Sequence, residues 1–179
     1  TESRGLGDVY KRQMESYAQD QKGVALMEAD FIEISKWRFR PSHQWYFDAQ
    51  RKGGSARDMQ LFGGKLDWMG GNWWYLTGQG LSAYEGGAGG YSEGHWGIGV
   101  LSPSWKNWQL YVEALIGAGG GGGVDSGSAL LYKPSVGVEY ELNDDFSIQT
   151  GIGKVISKEG NLDANTFDVS LVWRFGTPK

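Results

Sequence analysis

The residues whose types could support catalysis lie around His95. Glu93 and His95 are two positions apart, so in an extended strand they project from one face, and Glu113 in a neighbouring strand can lie near them. A serine hydrolase needs a hydroxyl within hydrogen-bond reach of its base. Ser92 would lie on the opposite face, and Ser82 can reach the base only if the register is favourable. His95, Glu93 and Glu113 are therefore candidates for acid–base chemistry, with a histidine hydrogen-bonded to a carboxylate as the structural alternative.

Other chemistry-bearing motifs are incomplete. Membrane hydrolases that deacylate lipid A carry a His and a Ser two apart on one strand face, whereas the stretch here reads EGHWG, without the serine. GAGGGGGVDSGS lacks the GxxxxGK[ST] pattern of a phosphate-binding loop and predicts a flexible or close-packed connection instead. Asp144 and Asp145 in LNDD fit a tight turn of the Asx type. With two His and no Cys, the sequence predicts no metal site and no cofactor.

The elements that position these residues show the period-two alternation of β-strands. It is regular over 107–118, 130–141, 146–156 and 166–175, where apolar residues share one face. The opposite face is polar and would line the inside of a barrel. Its predicted network is Glu113, Lys133, Glu139, Gln149, Asp168 and Arg174. Because a lone buried charge is costly, we expect these side chains to pair with one another.

Earlier strands are less regular, and their count is informative. They are predicted at 28–39, 44–50, 59–68, 73–84 and 90–101. Tight turns at 40–43, 69–72, 102–107 and 142–145 alternate with longer glycine-rich connections, which is typical of outer-membrane barrels. Those barrels have even strand numbers, so nine strands favour an N-terminally truncated barrel of ten. The alternative is a helix over 24–36 followed by a complete eight-stranded barrel over 44–175.

Tryptophans gather beside the predicted tight turns. Indole partitions to the membrane–water boundary, so this clustering predicts an aromatic girdle. The predicted interface residues are Trp37, Trp45, Trp68, Trp73, Trp74, Trp105, Trp108 and Trp173. A soluble barrel with a tryptophan-rich core is the alternative, but such a core would hold its tryptophans in mid-strand.

Composition narrows the class of protein. The mean hydropathy is −0.44, and no stretch approaches the roughly 20 apolar residues of a membrane-spanning helix. The net charge of −4 and the lack of a basic patch argue against a nucleic-acid partner. Residues 1–13, TESRGLGDVYKRQ, resemble a translated sequencing adapter. We therefore expect a non-native leader over 1–13, a polar segment over 14–27 and a barrel domain over 28–176.

The C-terminal stretch FDVSLVWRF resembles the last strand of bacterial outer-membrane β-barrels. The match covers Phe167, Val169, Leu171, Trp173 and Phe175, and it departs from the pattern in the four residues that follow. The resemblance implies outer-membrane lipid and the barrel-insertion machinery as partners.

Together these observations predict an all-β, up-and-down antiparallel transmembrane β-barrel of the bacterial outer membrane. The predicted role is structural, or transport along a narrow polar path through a lumen filled by side chains. The alternatives are a lipid-modifying outer-membrane hydrolase and a soluble calycin-like barrel that binds a small apolar ligand. An enzyme should lose activity on His95→Ala while still folding, whereas a structural barrel should tolerate that change.

Overall fold

A computed structural model describes residues 34–178 of the chain, with side chains over 36–176. Residues 1–13 and 14–27, predicted as leader and polar segment, lie outside this range. Eight antiparallel strands close into a barrel in chain order. They are β1 (Ile34–Gln50), β2 (Ala56–Met69), β3 (Trp74–Glu85), β4 (Ser92–Leu101), β5 (Trp108–Gly120), β6 (Leu130–Glu141), β7 (Phe146–Ser157) and β8 (Asp163–Pro178). No helix within residues 34–178 is long and apolar enough to cross a membrane.

The alternation along each strand sorts side chains between the two faces of the barrel wall. In β5, Leu110 and Val112 are 58% and 55% exposed, whereas Tyr111 and Glu113 are 1% exposed. Successive side chains of a strand point to opposite faces, so apolar residues lie outside and polar residues lie inside. This polarity is the reverse of that of a soluble calycin-like barrel, whose apolar face would form the interior.

The first strand corrects two sequence predictions. We predicted a hairpin of strands 28–39 and 44–50 around a turn at 40–43, but β1 runs unbroken through these positions. Pro41 and Ser42 favour turns, yet the alternation continues, and Arg40, Ser42 and Gln44 are all buried inside. The pairing of these inward polar residues outweighs the local turn preference. The nine-strand count and the ten-stranded alternative are therefore wrong, as is a helix reaching residue 36.

The connections divide the barrel into two ends. Short connections at 70–73, 102–107 and 142–145 define the tight-turn end. The opposite, long-loop end carries the connections 51–55, 86–91, 121–129 and 158–162. Because β1 is continuous, Trp45 pairs with Gln60 towards the long-loop end, so its predicted place beside a tight turn is wrong.

Inward-facing glycines make room for the large side chains of the lumen. A methyl group at Gly99 would overlap the ring of Tyr75, and one at Gly151 would overlap the hydroxyl of Tyr111. Both tyrosines are almost fully buried, and each hydrogen-bonds a carboxylate inside the barrel. The rings therefore have little freedom to move away.

We predict that Gly151→Ala destabilises the barrel by about 1–3 kcal/mol, because it overpacks the site beneath Tyr111. Gly80→Ala is the matched control, since Gly80 is an exposed strand glycine with nothing within 4 Å of an added methyl group. That change should be neutral or slightly stabilising, because alanine loses less backbone entropy on folding. Urea unfolding in lipid vesicles measures the free energy of unfolding of both variants. Equal losses of stability in Gly151→Ala and Gly80→Ala would contradict the packing argument.

Candidate functional site in the barrel lumen

Arg40 of β1 lies at the centre of a buried ion-pair cluster. Its side chain is 0% exposed, and Nη2 lies 2.7 Å from Asp67 Oδ1 and 2.6 Å from Glu113 Oε1. The other terminal nitrogen, Nη1, donates to Gln149 Oε1. Tyr75 adds a hydrogen bond of 2.8 Å to the same Glu113 oxygen. The planar guanidinium thus joins residues from β2, β5 and β7 across the lumen.

Arg38 extends this cluster towards the tight-turn end. Its Nε donates to Asp67 Oδ2 at 2.9 Å, and its Nη1 lies 3.1 Å from Glu139 Oε2. The guanidinium carbon lies 4.2 Å from the centre of the Tyr75 ring, in cation–π geometry. Arg174, which is partly exposed, also pairs with Glu139.

Lys65 connects the cluster to β8. Its Nζ lies 3.2 Å from Asp168 Oδ2 and 3.7 Å from Glu113 Oε2. Tyr111 donates to the other Asp168 oxygen at 3.2 Å.

A second cluster surrounds Glu93. Lys133 Nζ lies 3.0 Å from Glu93 Oε1, and the hydroxyl of Tyr46 also donates to that oxygen. Tyr91, in the connection before β4, donates to Glu93 Oε2 at 2.8 Å. Burial, followed by the charge of Glu93, raises the pKa of Tyr91 well above its usual range, so this hydroxyl keeps its proton.

Cations and anions in the two clusters are nearly equal in number. The cations are Arg38, Arg40, Lys65, Lys133 and Arg174, and the anions are Asp67, Glu93, Glu113, Glu139 and Asp168, with Glu141 as a second, partly exposed partner of Arg174. Each of these side chains has an ion-pair partner of opposite sign within the lumen. Pairing of this kind is what permits charges to be buried at all.

The structure brings most of the predicted network together. Glu113, Glu139, Gln149 and Asp168 join the cluster around Arg40, Arg174 lies at its edge, and Lys133 belongs to the second cluster. The sequence analysis missed four central members. They are Arg38, Arg40, Lys65 and Asp67. The period-two polar series from Arg38 to Gln44 would have revealed the first two, had 40–43 not been assigned to a turn.

The candidate catalytic residues do not form a hydrolase constellation. His95 Nδ1 lies 3.7 Å from Glu93 Oε1 and 3.1 Å from Gln79 Nε2. Its Nε2 has no hydrogen-bond partner among the described residues. Glu113 is held in the Arg40 cluster. Ser82 and Ser92 bond to each other on the outer face, 2.9 Å apart, so the favourable register that would bring Ser82 to His95 is absent.

An apolar cap closes the lumen at the long-loop end. It contains strand residues such as Leu61, Leu81 and Leu131, together with the connection residues Val124 and Leu162. All of them are at most 2% exposed. Backbone hydrogen bonds from Asp125 N to Gln50 O and from Leu162 N to Asp125 O, both 2.9 Å, tie the cap to the wall. The predicted glycine-rich connection is close-packed over this mouth.

The tight-turn end is open by contrast. A cavity of about 500 Å³ lies there, with Arg38, Met69, Gln109, Glu141 and Arg174 in its lining. Among the described residues, no group of three or more His, Cys, Asp or Glu could hold a metal ion.

Solved structures share this architecture. The N-terminal barrel domain of Pseudomonas aeruginosa OprF matches with a TM-score of 0.56 and 9% identity, over 80% of this chain and 100% of that one. Neisserial surface protein A matches with a TM-score of 0.53 and 12% identity, over 78% and 95%. A designed transmembrane β-barrel matches with a TM-score of 0.52 and 7% identity, over 80% and 98%. This chain has the fold of the small outer-membrane β-barrels. No protein-family model and no curated protein sequence matches it.

The small-barrel fold confirms the predicted class and the resemblance drawn from the C-terminal strand. It also accounts for the inverted polarity of the wall, because an apolar outer face suits lipid and a polar inner face suits a lumen. At this low identity the likeness concerns the fold. The role of the barrel must therefore be argued from its lumen, with the two ion-pair clusters and the apolar cap.

We predict that Arg40→Gln destabilises the barrel by about 3–5 kcal/mol, because it leaves Asp67 and Glu113 buried without their cation. Lys154→Gln is the control, since Lys154 pairs with Asp163 at the surface, where both side chains are about half exposed. Removal of an exposed pair should cost about 0–1 kcal/mol. Urea unfolding in lipid vesicles separates the two, and similar losses would show that the lumen network contributes no more than a surface pair.

Proposed function

We propose that this chain is embedded in the bacterial outer membrane as a closed barrel with a structural role, and that it does not conduct. The observation that carries this proposal is the pairing of an apolar outer wall with a lumen that is charged at one end and sealed by an apolar cap at the other. An eight-stranded barrel is narrow enough for side chains to fill it.

Contact with lipid follows from the outer wall. Exposed apolar side chains cover every strand, and Val112, Val136 and Ile152 are typical members. In water this belt would be a large aggregation-prone surface, whereas in a bilayer it replaces lipid–water contact.

The tryptophans support a boundary at the tight-turn end. Trp68 contacts Trp74 edge to face at 5.9 Å, and Trp173 packs on Phe175 at 5.1 Å. Trp37 pairs with Trp68 at the same end. Trp73, Trp105 and Trp108 lie at or beside the tight turns. We infer that these side chains form an interfacial girdle, and that Trp45 belongs to the opposite side of the membrane.

The last strand fits a signal for the barrel-insertion machinery. Phe167, Val169, Leu171 and Trp173 all lie on the outer face of β8, where a partner could contact them. We infer that this apolar series is recognised during assembly.

A narrow transport path is the weaker alternative. It would need a continuous polar route, and the apolar cap interrupts the polar lumen before the long-loop end. The hydrolase alternative is not supported, because the two candidate nucleophiles, Ser82 and Ser92, face outwards and away from His95.

If the barrel is embedded in a membrane, the free-energy cost of an arginine on the outer wall should depend on its depth in the bilayer. Val112→Arg places a cation in the middle of the apolar belt and should cost about 2–4 kcal/mol. Leu142→Arg is the control, since Leu142 lies in a tight turn where a cation can reach water, and should cost about 0–1 kcal/mol. Folding in lipid vesicles and heat-modifiable migration report both variants. A monodisperse, detergent-free monomer would contradict the membrane proposal.

Because the lumen is closed at one end, we predict that the protein does not conduct ions. Planar bilayers that contain the folded protein should show no conductance steps, because paired side chains fill the lumen and the apolar cap blocks the path of ions. A heat-modifiable band from the same preparation controls for insertion. Uniform steps in proportion to the inserted protein would contradict the structural role and favour narrow transport.

A further inference from the structure

Two arginines at the long-loop end lie beside the same turn. Arg51 follows β1, and its terminal nitrogens donate to Gly86 O at 3.1 Å and to Gly122 O at 3.3 Å. Arg57, near the start of β2, lies against the same turn, because a methyl group at Gly87 would come within 2.7 Å of its Nη1. Both guanidinium groups therefore lie beside the Gly86–Gly87 turn.

Neither arginine has a carboxylate partner in the part of the chain that the structure describes. Among the described residues, no ion pair within 4.0 Å involves Arg51 or Arg57, whereas Lys154 at the same end lies 2.7 Å from Asp163. Partial burial, and next the charge of Arg57, lower the pKa of Arg51. Arg51 is partly buried and Arg57 is exposed. The two like charges thus lack the compensation that every lumen cation has.

The chemistry of this pair selects an oxyanion. A guanidinium is planar and offers N–H groups in a fixed fork that matches phosphate and sulfate oxygens. Two carbonyls already fix the orientation of Arg51, so little further ordering is needed when an anion binds. Bound charge would also relieve the repulsion between the two arginines.

We propose that Arg51 and Arg57 form a binding site for a phosphate or sulfate group at the long-loop end. Arg51 forms a β-bridge with Val124, a residue of the apolar cap, so the site lies over the barrel mouth rather than on the lipid-facing wall. This position favours a group presented from solution, and a lipid headgroup is the other source of the same chemistry.

The test measures binding of inorganic tripolyphosphate to the folded protein in detergent micelles. Arg51→Gln and Arg57→Gln should each weaken binding about tenfold, as expected for the loss of a charge-assisted hydrogen-bonded pair. Lys154→Gln should leave it unchanged, because Lys154 already has a carboxylate. Heat-modifiable migration checks that every variant folds, and Arg57→Gln keeps the test valid if Arg51→Gln disturbs the cap.

A second arm distinguishes the sources of the anion. Vesicles of phosphatidylcholine with and without phosphatidic acid are offered to the same protein. Arginine-dependent binding of free tripolyphosphate supports a ligand from solution, and arginine-dependent binding of phosphatidic acid alone supports a headgroup. Lack of binding to either probe, or equal losses in Lys154→Gln, would overturn the site. None of these outcomes depends on whether the lumen conducts.

Discussion

Charge buried inside a closed wall must be compensated inside the same wall, and this constraint shapes the whole barrel. Arg40 satisfies this constraint by contacting residues of four other strands, so the lumen network links parts of the chain that are distant in sequence. Inward glycines contribute indirectly to this compensation. Gly99 and Gly151 leave space for the tyrosines that hydrogen-bond the carboxylates. Strand register is fixed as a result, because a shift of one residue would turn every charge towards the apolar outside.

The lumen has two different environments along its length. The Arg40 cluster extends to an open cavity at the tight-turn end, whereas the Glu93 cluster adjoins the apolar cap. Tyr46 and Tyr91 belong to both environments, with rings in the apolar packing and hydroxyls on Glu93. These tyrosines allow a carboxylate to lie directly beneath an apolar layer without an unpaired oxygen.

The same principle distinguishes the long-loop end from the lumen. Inside, each cation has a carboxylate partner, and the charges compensate one another within the lumen. Above the cap, Arg51 donates to two carbonyls, and neither Arg51 nor Arg57 pairs with a carboxylate among the residues that the structure describes. Their charge is therefore available to an anion from outside. A barrel with a closed interior can therefore still offer a chemically specific outer surface.

The sequence by itself determined the class of the protein, because period-two alternation and the spacing of tight turns are local features. It placed β5 to β8 within a few residues and assigned Glu113, Glu139, Gln149 and Asp168 to one polar face. Only the tertiary structure decided that residues 40–43 continue a strand. Pro41 and Ser42 favour a turn locally. The opposing preference comes from Asp67 on the adjacent β2 and from Glu113 on β5, which Arg40 contacts only when the barrel closes. For the same reason the sequence could not show that Arg51 and Arg57 share one turn, since the connection that joins them lies some 30 residues further along the chain.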